Sequence, residues 1–574
     1  MMQFFNLGRA GILSLLVLLS ITSFAQTRTI TGKVTNKTDG QPLPGVSVQV
    51  KGQGTGTQTD AEGNYSISVP ENATLIFTHT GFESQEVPVG TNTTVDVQLA
   101  ISTSSNLNEV VVIGYGSVRK RDLTGSVGSV KAAQLQERPA ASLNEAISGR
   151  IAGVQVTTNS GRPGGQTRIR VRGFSSINSS NNPLYVVDGV YLPIANQTMN
   201  SNSIDYVNPN DIASVEVLKD ASATAIYGAR GANGVVLITT KRGTSGGARV
   251  TYDGDFSIPT IGPQRVRMLN AREYIELENL AYDNIKIYDP AGWAAGNYAA
   301  IEDPREKRKK LPELFDANGN PIYDTDWFRE ATQSKLGQNH QLSVTGGNNG
   351  NTYGLFLGYR DQNGLLLNSF LKRYSARFTA DMKPKEWLRI GGSLSYNFQQ
   401  ENLVDQGTGG LNSVRMITEA FPFMPVKFPD GTWGDNYLYP GAEGGSNPVH
   451  ILTDRKYLLN VQNTLGEAYI RILLGKGFDI KSQVGVSVVQ RQENQYSGRS
   501  LHNISMQQNG VASIFNNREI YWSSETYLNY NRTFNEDHDV TGLIGLSWQG
   551  TNYVSAGASA QNFSTDFFQW NNLG

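Results

Sequence analysis

From residue 249 onward, apolar and polar residues alternate at period two. Tyr374, Ala376, Phe378, Ala380 and Met382 interleave with Arg373, Ser375, Arg377, Thr379 and Asp381. Leu388, Ile390, Leu394, Tyr396 and Phe398 likewise oppose Arg389, Ser393, Ser395 and Asn397. Successive side chains of a strand point to opposite faces, so these segments predict strands with one apolar and one polar face. About nine such strands are expected, near residues 249–257, 339–346, 352–360, 373–382, 388–399, 460–473, 478–489, 519–531 and 538–549. The links at 347–351, 383–387, 475–477 and 534–538 are short, and those at 258–338, 361–372, 400–459 and 490–518 are longer. Short and long links therefore alternate strictly. A transmembrane β-barrel does this, with short periplasmic turns, long extracellular loops, and strand faces shared between lipid and lumen. A soluble sandwich also alternates in polarity, but it has no reason to segregate loop length.

Ahead of these strands the pattern changes three times. Residues 27–100 hold short strand-like runs at 29–35, 45–51, 63–69, 73–78 and 95–99, separated by turn residues such as Asp39-Gly40. That spacing predicts a small β-sandwich. A polar, Ser-rich linker follows and ends in Leu107-Asn108-Glu109-Val110-Val111-Val112-Ile113-Gly114-Tyr115-Gly116. Its four consecutive β-branched residues disfavour helix and favour an extended chain. Read alone, such a run is most often a buried strand; on a tether, it is suited to adding itself to the sheet edge of another protein.

Residues 124–243 then read as a compact α/β segment. Ser142-Leu143-Asn144-Glu145 has capping-box spacing and predicts a short helix ending near Gly149. Strands are expected at 154–158, 167–172, 184–187, 214–218 and 235–241, and Asp220 is expected to cap an alanine-rich helix ended by Gly228. Gly228, Gly231 and Gly234 do not make a dinucleotide loop, because they follow a helix and precede a strand rather than the reverse.

Composition narrows the function. Glycine (61), tyrosine (25) and phenylalanine (22) are abundant while 17% of residues are charged, a balance that suits many short strands and tight turns. The formal net charge of −1 gives no case for nucleic-acid binding. The absence of cysteine removes disulfides, thiolate metal sites, a cysteine nucleophile and a lipoprotein anchor. Residues 1–25 read as a secretory signal: Arg9, an apolar run at 11–21, and small residues at Ser23 and Ala25 that place cleavage before Gln26. The apolar run is about half of the roughly 20 residues a spanning helix needs.

No catalytic pattern stands out. His79, His340, His450, His502 and His538 fall in different expected elements without metal-ligand spacing, and no nucleophile elbow, P-loop or carboxylate dyad identifies itself. Arg168, Arg170 and Arg172 alternate along one expected strand. Charged groups facing a hydrated lumen or pairing with a barrel wall explain them better than an anion site, given the cost of burying unpaired charge.

Several blocks carry a family resemblance. Gly32-Lys33-Val34, Pro44-Gly45-Val46 and the run from Asp60 to Tyr65 resemble the carboxypeptidase-regulatory-like domain, which implies a structural spacer without zinc chemistry. The motifs SGRIAGVQV, RIRVRGFSSI, PLYVVDGV and DIASVEVLKDASATAIYGARGANGVVLITTKRG resemble the plug domain of TonB-dependent receptors. The decamer at 107–116 resembles the TonB box of SusC/RagA-like transporters. These resemblances imply a mainly β protein: signal peptide 1–25, sandwich 27–100, linker with TonB box 101–123, plug 124–243, and part of an antiparallel transmembrane barrel at 244–574. Its place would be the outer membrane.

Glu109, Val110, Val111, Val112, Ile113 and Gly114 would pair with TonB, which is driven by an inner-membrane energising complex. A SusD-like surface lipoprotein would act as lid, and the ligand would be a glycan or peptide; no cofactor, metal or enzymatic step is implied. The resembled family closes a barrel of about 22 strands, so the chain is expected to hold the N-terminal part of an incomplete barrel, stopping in an extracellular loop. Two alternatives stay open: a secreted or surface-displayed binding protein that uses the sandwich for recognition, and a siderophore or cobalamin receptor.

Overall fold

The computed structural model describes residues 27–573 apart from short stretches at 38–39, 53–54, 71–72, 80–81, 101–109, 114–115, 120–125, 138–141, 159, 166, 175, 178–179, 193–203, 205–206, 263–266, 404–411, 441–445, 502–506 and 535–537. The expected signal peptide, the Ser-rich linker, Glu109 and Gly114 lie outside the described residues. The chain divides into two compact units, one holding the sandwich and the other holding the α/β segment with the long strands.

The sandwich is built from β1 (Thr27–Asn36), β2 (Ser47–Val50), β3 (Gly56–Gln58), β4 (Asn64–Pro70), β5 (Thr74–Thr78), β6 (Gln85–Pro88) and β7 (Val97–Leu99). One sheet has the order β4-β1-β7 and the other β3-β2-β5-β6. Tyr65, Ile67 and Val69 of β4 point inward between exposed neighbours and meet Ile30, Val48, Leu75 and Phe77 in the core. Gly32 is required by close approach, because a Cβ there would lie 1.9 Å from the Val95 carbonyl oxygen. Strands β3 and β6 were not expected. Both are edge strands of three or four residues without an apolar alternation, and their pairing comes from the neighbouring strand rather than from their own sequence.

Val110–Ile113 forms β8, which pairs with β9 (Gly116–Arg119) in a two-stranded sheet.

The α/β segment contains β10 (Val127–Lys131), β11 (Val154–Thr158), β12 (Thr167–Val171), β13 (Leu184–Val187), β14 (Val190–Tyr191), β15 (Ile212–Leu218) and β16 (Val235–Thr240). Five of these form a mixed sheet of order β10-β15-β16-β13-β14, while β11 and β12 form a separate hairpin. All four residues of β13 and nearly all of β16 are buried, so these strands read as continuous apolar runs. The helix Leu143–Ile147 starts where expected, with the Ser142 side chain accepting a hydrogen bond from the Glu145 amide at 3.3 Å. Asp220 does stand before the helix Ala221–Thr224, but its carboxylate does not cap it. It accepts instead from Arg172 and from the Ser126 amide, 2.5 Å away.

Nine long strands follow: β17 (Gly246–Ser257), β18 (Gly337–Asn348), β19 (Asn351–Asn363), β20 (Phe370–Lys385), β21 (Leu388–Asn402), β22 (Lys456–Gly475), β23 (Phe478–Ser497), β24 (Val511–Phe534) and β25 (His538–Gln561). They pair antiparallel in chain order, and among the described residues β17 and β25 are the two edges of an open sheet. At the turns 349–350 and 476–477 both residues have positive φ: Asn349 +51° and Gly350 +82°, then Lys476 +51° and Gly477 +91°. Such turns match the twist of antiparallel strands.

The strand faces are inverted relative to a soluble sandwich. In β20, Arg377 and Thr379 are 3% and 0% exposed, whereas Tyr374, Phe378 and Met382 are about half exposed. Apolar residues face outward, and the polar row is covered by the α/β segment. Tyr353, Trp387, Phe478 and Phe534 are exposed at the short-turn end, as in the aromatic girdle of a membrane barrel. This orientation is that of a wall with an apolar outer face, not of a soluble sandwich.

Strands β22 to β25 run beyond their expected ends on the long-link side. In β23 the added residues Gln490–Ser497 are polar on both faces apart from Tyr496, so alternation fades while the hydrogen-bond ladder continues. The two longest links also fold. The helix Ala271–Tyr288 and the helices Trp327–Glu330, Ser413–Glu419 and Pro448–Asp454 share a core that includes Ile275, Phe315, Trp327, Phe423 and Tyr439.

Candidate functional site

The α/β segment is seated against the polar wall face by charged contacts. Asp188 and Gly189 make the tight turn between β13 and β14, with φ of +48° and +88°. The turn carries the Asp188 carboxylate into the wall, where it accepts from the Arg377 guanidinium at 2.8 Å, the Thr240 amide at 3.0 Å and the Thr240 hydroxyl at 2.6 Å. The Asp188 carbonyl accepts from the Gln483 side chain at 2.8 Å. Burial works against this charge, but Arg377, Arg242 and the Thr240 hydrogen bonds outweigh it and hold the carboxyl below its ordinary range.

Two further plug arginines reach the wall. Arg242, just past β16, pairs with Asp381 of β20 at 3.0 Å and with Glu467 of β22. Arg162, in the loop before β12, pairs with Glu401 of β21 at 2.7 Å, and both side chains are buried. That loop fits because Gly164 has φ +70° and a Cβ there would meet the Glu401 carboxylate at 2.7 Å. Contacts without an ion pair complete the seat. Asn208 donates to Gln341 and Ser375 at 3.0 Å each, and Arg230 donates to Gln549 at 2.8 Å while lying over the Tyr191 ring.

A buried ion pair stabilises little in net terms, since desolvation offsets most of the attraction, whereas losing one partner costs about 3–5 kcal/mol. Asp211 carries the opposite burden. Its carboxyl is pushed up to about 6 by burial, against the attraction of Arg377, Lys241 and Arg373.

Of the residues singled out in the sequence, Val110–Ile113 form the strand β8. Arg168 and Arg170 share one face of β12, whereas Arg172 lies past its end with φ +56°; among the described residues none of the three forms an ion pair with the wall. Arg172 pairs with Asp220 of the same segment, Arg170 donates to Asn182, and Arg168 is exposed. The wall contacts made by Asp188, Arg242 and Arg162 were not foreseen. The available signals were an Asp-Gly turn between apolar pairs and charged residues on the polar face of β20. Among the described residues, no cluster of His, Asp and Glu has the arrangement to hold a metal ion.

Comparisons with known proteins agree with this geometry. Residues 119–235 match the TonB-dependent receptor plug domain, and residues 30–112 match the CarboxypepD_reg-like domain. TonB-dependent receptor P26 of Formosa agariphila is 34% identical over 541 residues, covering 93% of this chain and 50% of the relative. TonB-dependent receptor SusC of Bacteroides thetaiotaomicron is 37% identical over 452 residues, covering 77% and 40%. The RagAB peptide importer in its closed-closed state superposes with a TM-score of 0.63 at 25% identity, covering 78% of this chain and 50% of that one. Its open-open state gives 0.63 at 26% identity, covering 80% and 51%. The chain spans about half the length of the curated relatives it matches.

Proposed function

From the premise that this chain belongs to the SusC/RagA-like TonB-dependent receptors of the outer membrane, we propose that it serves in the energy-coupled import of a bulky nutrient, an oligosaccharide or peptide. The segment Glu109–Gly114, which contains β8, is the handle by which TonB, energised from the inner membrane, engages the plug. A SusD-like surface lipoprotein closes over the ligand on the extracellular side. Ligand held between lipoprotein and loops biases the plug, TonB pairs with the strand, and the pull opens the plug. The residues have transport roles, not catalytic ones, and Met1–Ala25 acts as a cleaved export signal.

The observation that carries this reading is the isolation of β8. Among the described residues it belongs to neither sandwich sheet nor plug sheet and pairs with β9 in a two-stranded sheet. A lone two-stranded hairpin is marginal in water, so its strand can be exchanged cheaply for the edge of another protein's sheet. Backbone hydrogen bonds then transmit the force, which is why strand propensity matters here more than any reactive side chain.

The test is an NMR titration of the periplasmic domain of TonB with a peptide of residues 107–116. Shifts confined to one sheet edge of TonB are expected. The Val111→Pro peptide, which lacks a backbone donor, should leave the spectrum unchanged. Equal binding by both peptides, or by neither, would remove β8 from this role.

A further inference from the structure

Within the wall formed by β17 to β25, the contacts to the plug differ from one stretch to another. Among the described residues, each ion pair joining plug to wall falls on β20, β21 or β22: Asp188 to Arg377, Arg242 to Asp381 and Glu467, and Arg162 to Glu401. The same side carries the Asn208 anchors, and the chain itself continues there from β16 into β17. Towards β23 and β24 the plug makes no ion pair among the described residues; Tyr191 bonds to the Glu525 carboxylate, and the Asp188 carbonyl accepts from Gln483. Val190 packs on Gly485, where a Cβ would lie 2.6 Å from a Val190 methyl, and Tyr191 meets Tyr521 edge-on with ring centroids 5.9 Å apart.

A cavity of about 300 Å³ lies on this weaker side, between the plug strands β13, β14 and β16 and the wall strands β22 to β24. Arg471 and Lys481, opposite one another across the β22–β23 ladder, line it close to the turn 476–477, so it sits at the short-turn end of the wall. Arg242, Glu467, Glu525 and Asp188 complete its charged lining. The plug element beside it is the weakest in the sheet: β14 is an edge strand of two residues, with two pairings to β13.

We propose that the passage opens here, by β14 swinging away from β23 and β24 while the ion pairs on β20 to β22 stay closed as the hinge. This rests on the import reading above and assigns it a route. A door on this side breaks no ion pair among the described residues, whereas opening the other side would leave the charges of the pairs named above buried without partners. Three cations and three carboxylates around the cavity, among tyrosines, suit a polar solute of low net charge, a sugar or a short peptide, better than a strongly charged one.

None of these 574 residues is cysteine, so paired cysteines can be placed across each side. The variants are Val190→Cys with Gly485→Cys on the proposed door, and Asn208→Cys with Ser375→Cys on the proposed hinge. Each is bridged in cells by a short bis-thiosulfonate and later released by reductant, and entry of fluorescein-labelled oligosaccharides and tryptic peptides is followed. Bridging the door should cut uptake by at least about tenfold, restored on reduction, while bridging the hinge should leave it within about twofold of the unbridged variant. Loss of uptake on bridging the hinge, or full uptake with the door bridged, overturns the proposal. Should the unaltered protein take up none of the labelled mixture in an energised cell, the import reading fails, and the route fails with it.

Discussion

His450 shows how a single residue ties loops together above the wall. It is fully buried, stacked on Trp433 with centroids 4.3 Å apart, and its Nε2 is 2.9 Å from the Ser500 hydroxyl. Its Nδ1 lies 3.4 Å from an Asp435 carboxylate oxygen, and Nε2 lies 3.6 Å from Asp454; both are ion-pair distances. Burial disfavours the charged ring, but Asp435 and Asp454 outweigh it and raise the imidazole above its ordinary 6.5. A raised value in the fold means that the stabilisation is fully present below pH 6.5 and is lost as pH climbs through the raised value. Asp454, lowered chiefly by its contact with His450, loses its contribution only in acid below 3.8 and so leaves that window clear. Amides of the helix Pro448–Asp454 should therefore exchange hydrogen faster at pH 8.5 than at pH 6, after correction for intrinsic rates, and His450→Gln should abolish the difference. The same pH dependence in the variant would remove His450 as its source. Asp211 gives the opposite sign. Its carboxyl, at about 6 against an ordinary 3.8, penalises the fold increasingly as pH rises between those values. Asp211→Asn should accordingly raise the urea midpoint above pH 6 and leave it unchanged near pH 3; a lower midpoint above pH 6 would contradict the assignment.

Among the elements, β20 carries the clearest consequence. Arg377→Met leaves the Asp188 carboxylate buried without its main partner, which should cost about 3–5 kcal/mol. Faster hydrogen exchange in β13 and β16 is expected, and adding Asp188→Asn should recover most of the loss. An unchanged exchange pattern in the single variant would mean that the pair does not hold the plug. The strands themselves were legible because period-two alternation is dictated by a wall with two unlike faces. Their outer ends were not, because Gln490–Ser497 projects polar groups on both sides and only the ladder defines the strand. The edge strands β3 and β6 escaped for a similar reason. The helix Ala271–Tyr288 was missed despite a readable signal: Asn270 and Glu273 form a reciprocal capping box, with bonds of 2.9 and 3.0 Å. Asp220 had the right spacing for a cap, yet Arg172, distant in sequence, claims its carboxylate. Tertiary partners of this kind leave no local trace, and the seat formed by Asp188, Arg242 and Arg162 is of the same sort.

For the molecule as a whole, the governing fact is the direction of polarity across the wall. Phe378 sits at the middle of β20 on the exposed face, and its neighbours Arg377 and Thr379 are buried under the plug. Phe378→Arg should cost about 2–4 kcal/mol in a bilayer, seen as less protein assembled in the outer membrane; normal assembly would contradict a lipid-facing Phe378. The proposed pull on the plug acts through β8, which among the described residues pairs with β9. The most direct measurement compares surface binding and uptake of fluorescein-labelled oligosaccharides and tryptic peptides in cells whose chromosomal gene carries Val111→Pro. Binding within about twofold of the unaltered protein, with uptake reduced by at least about tenfold, is the predicted result. Uptake at the unaltered rate would contradict the account.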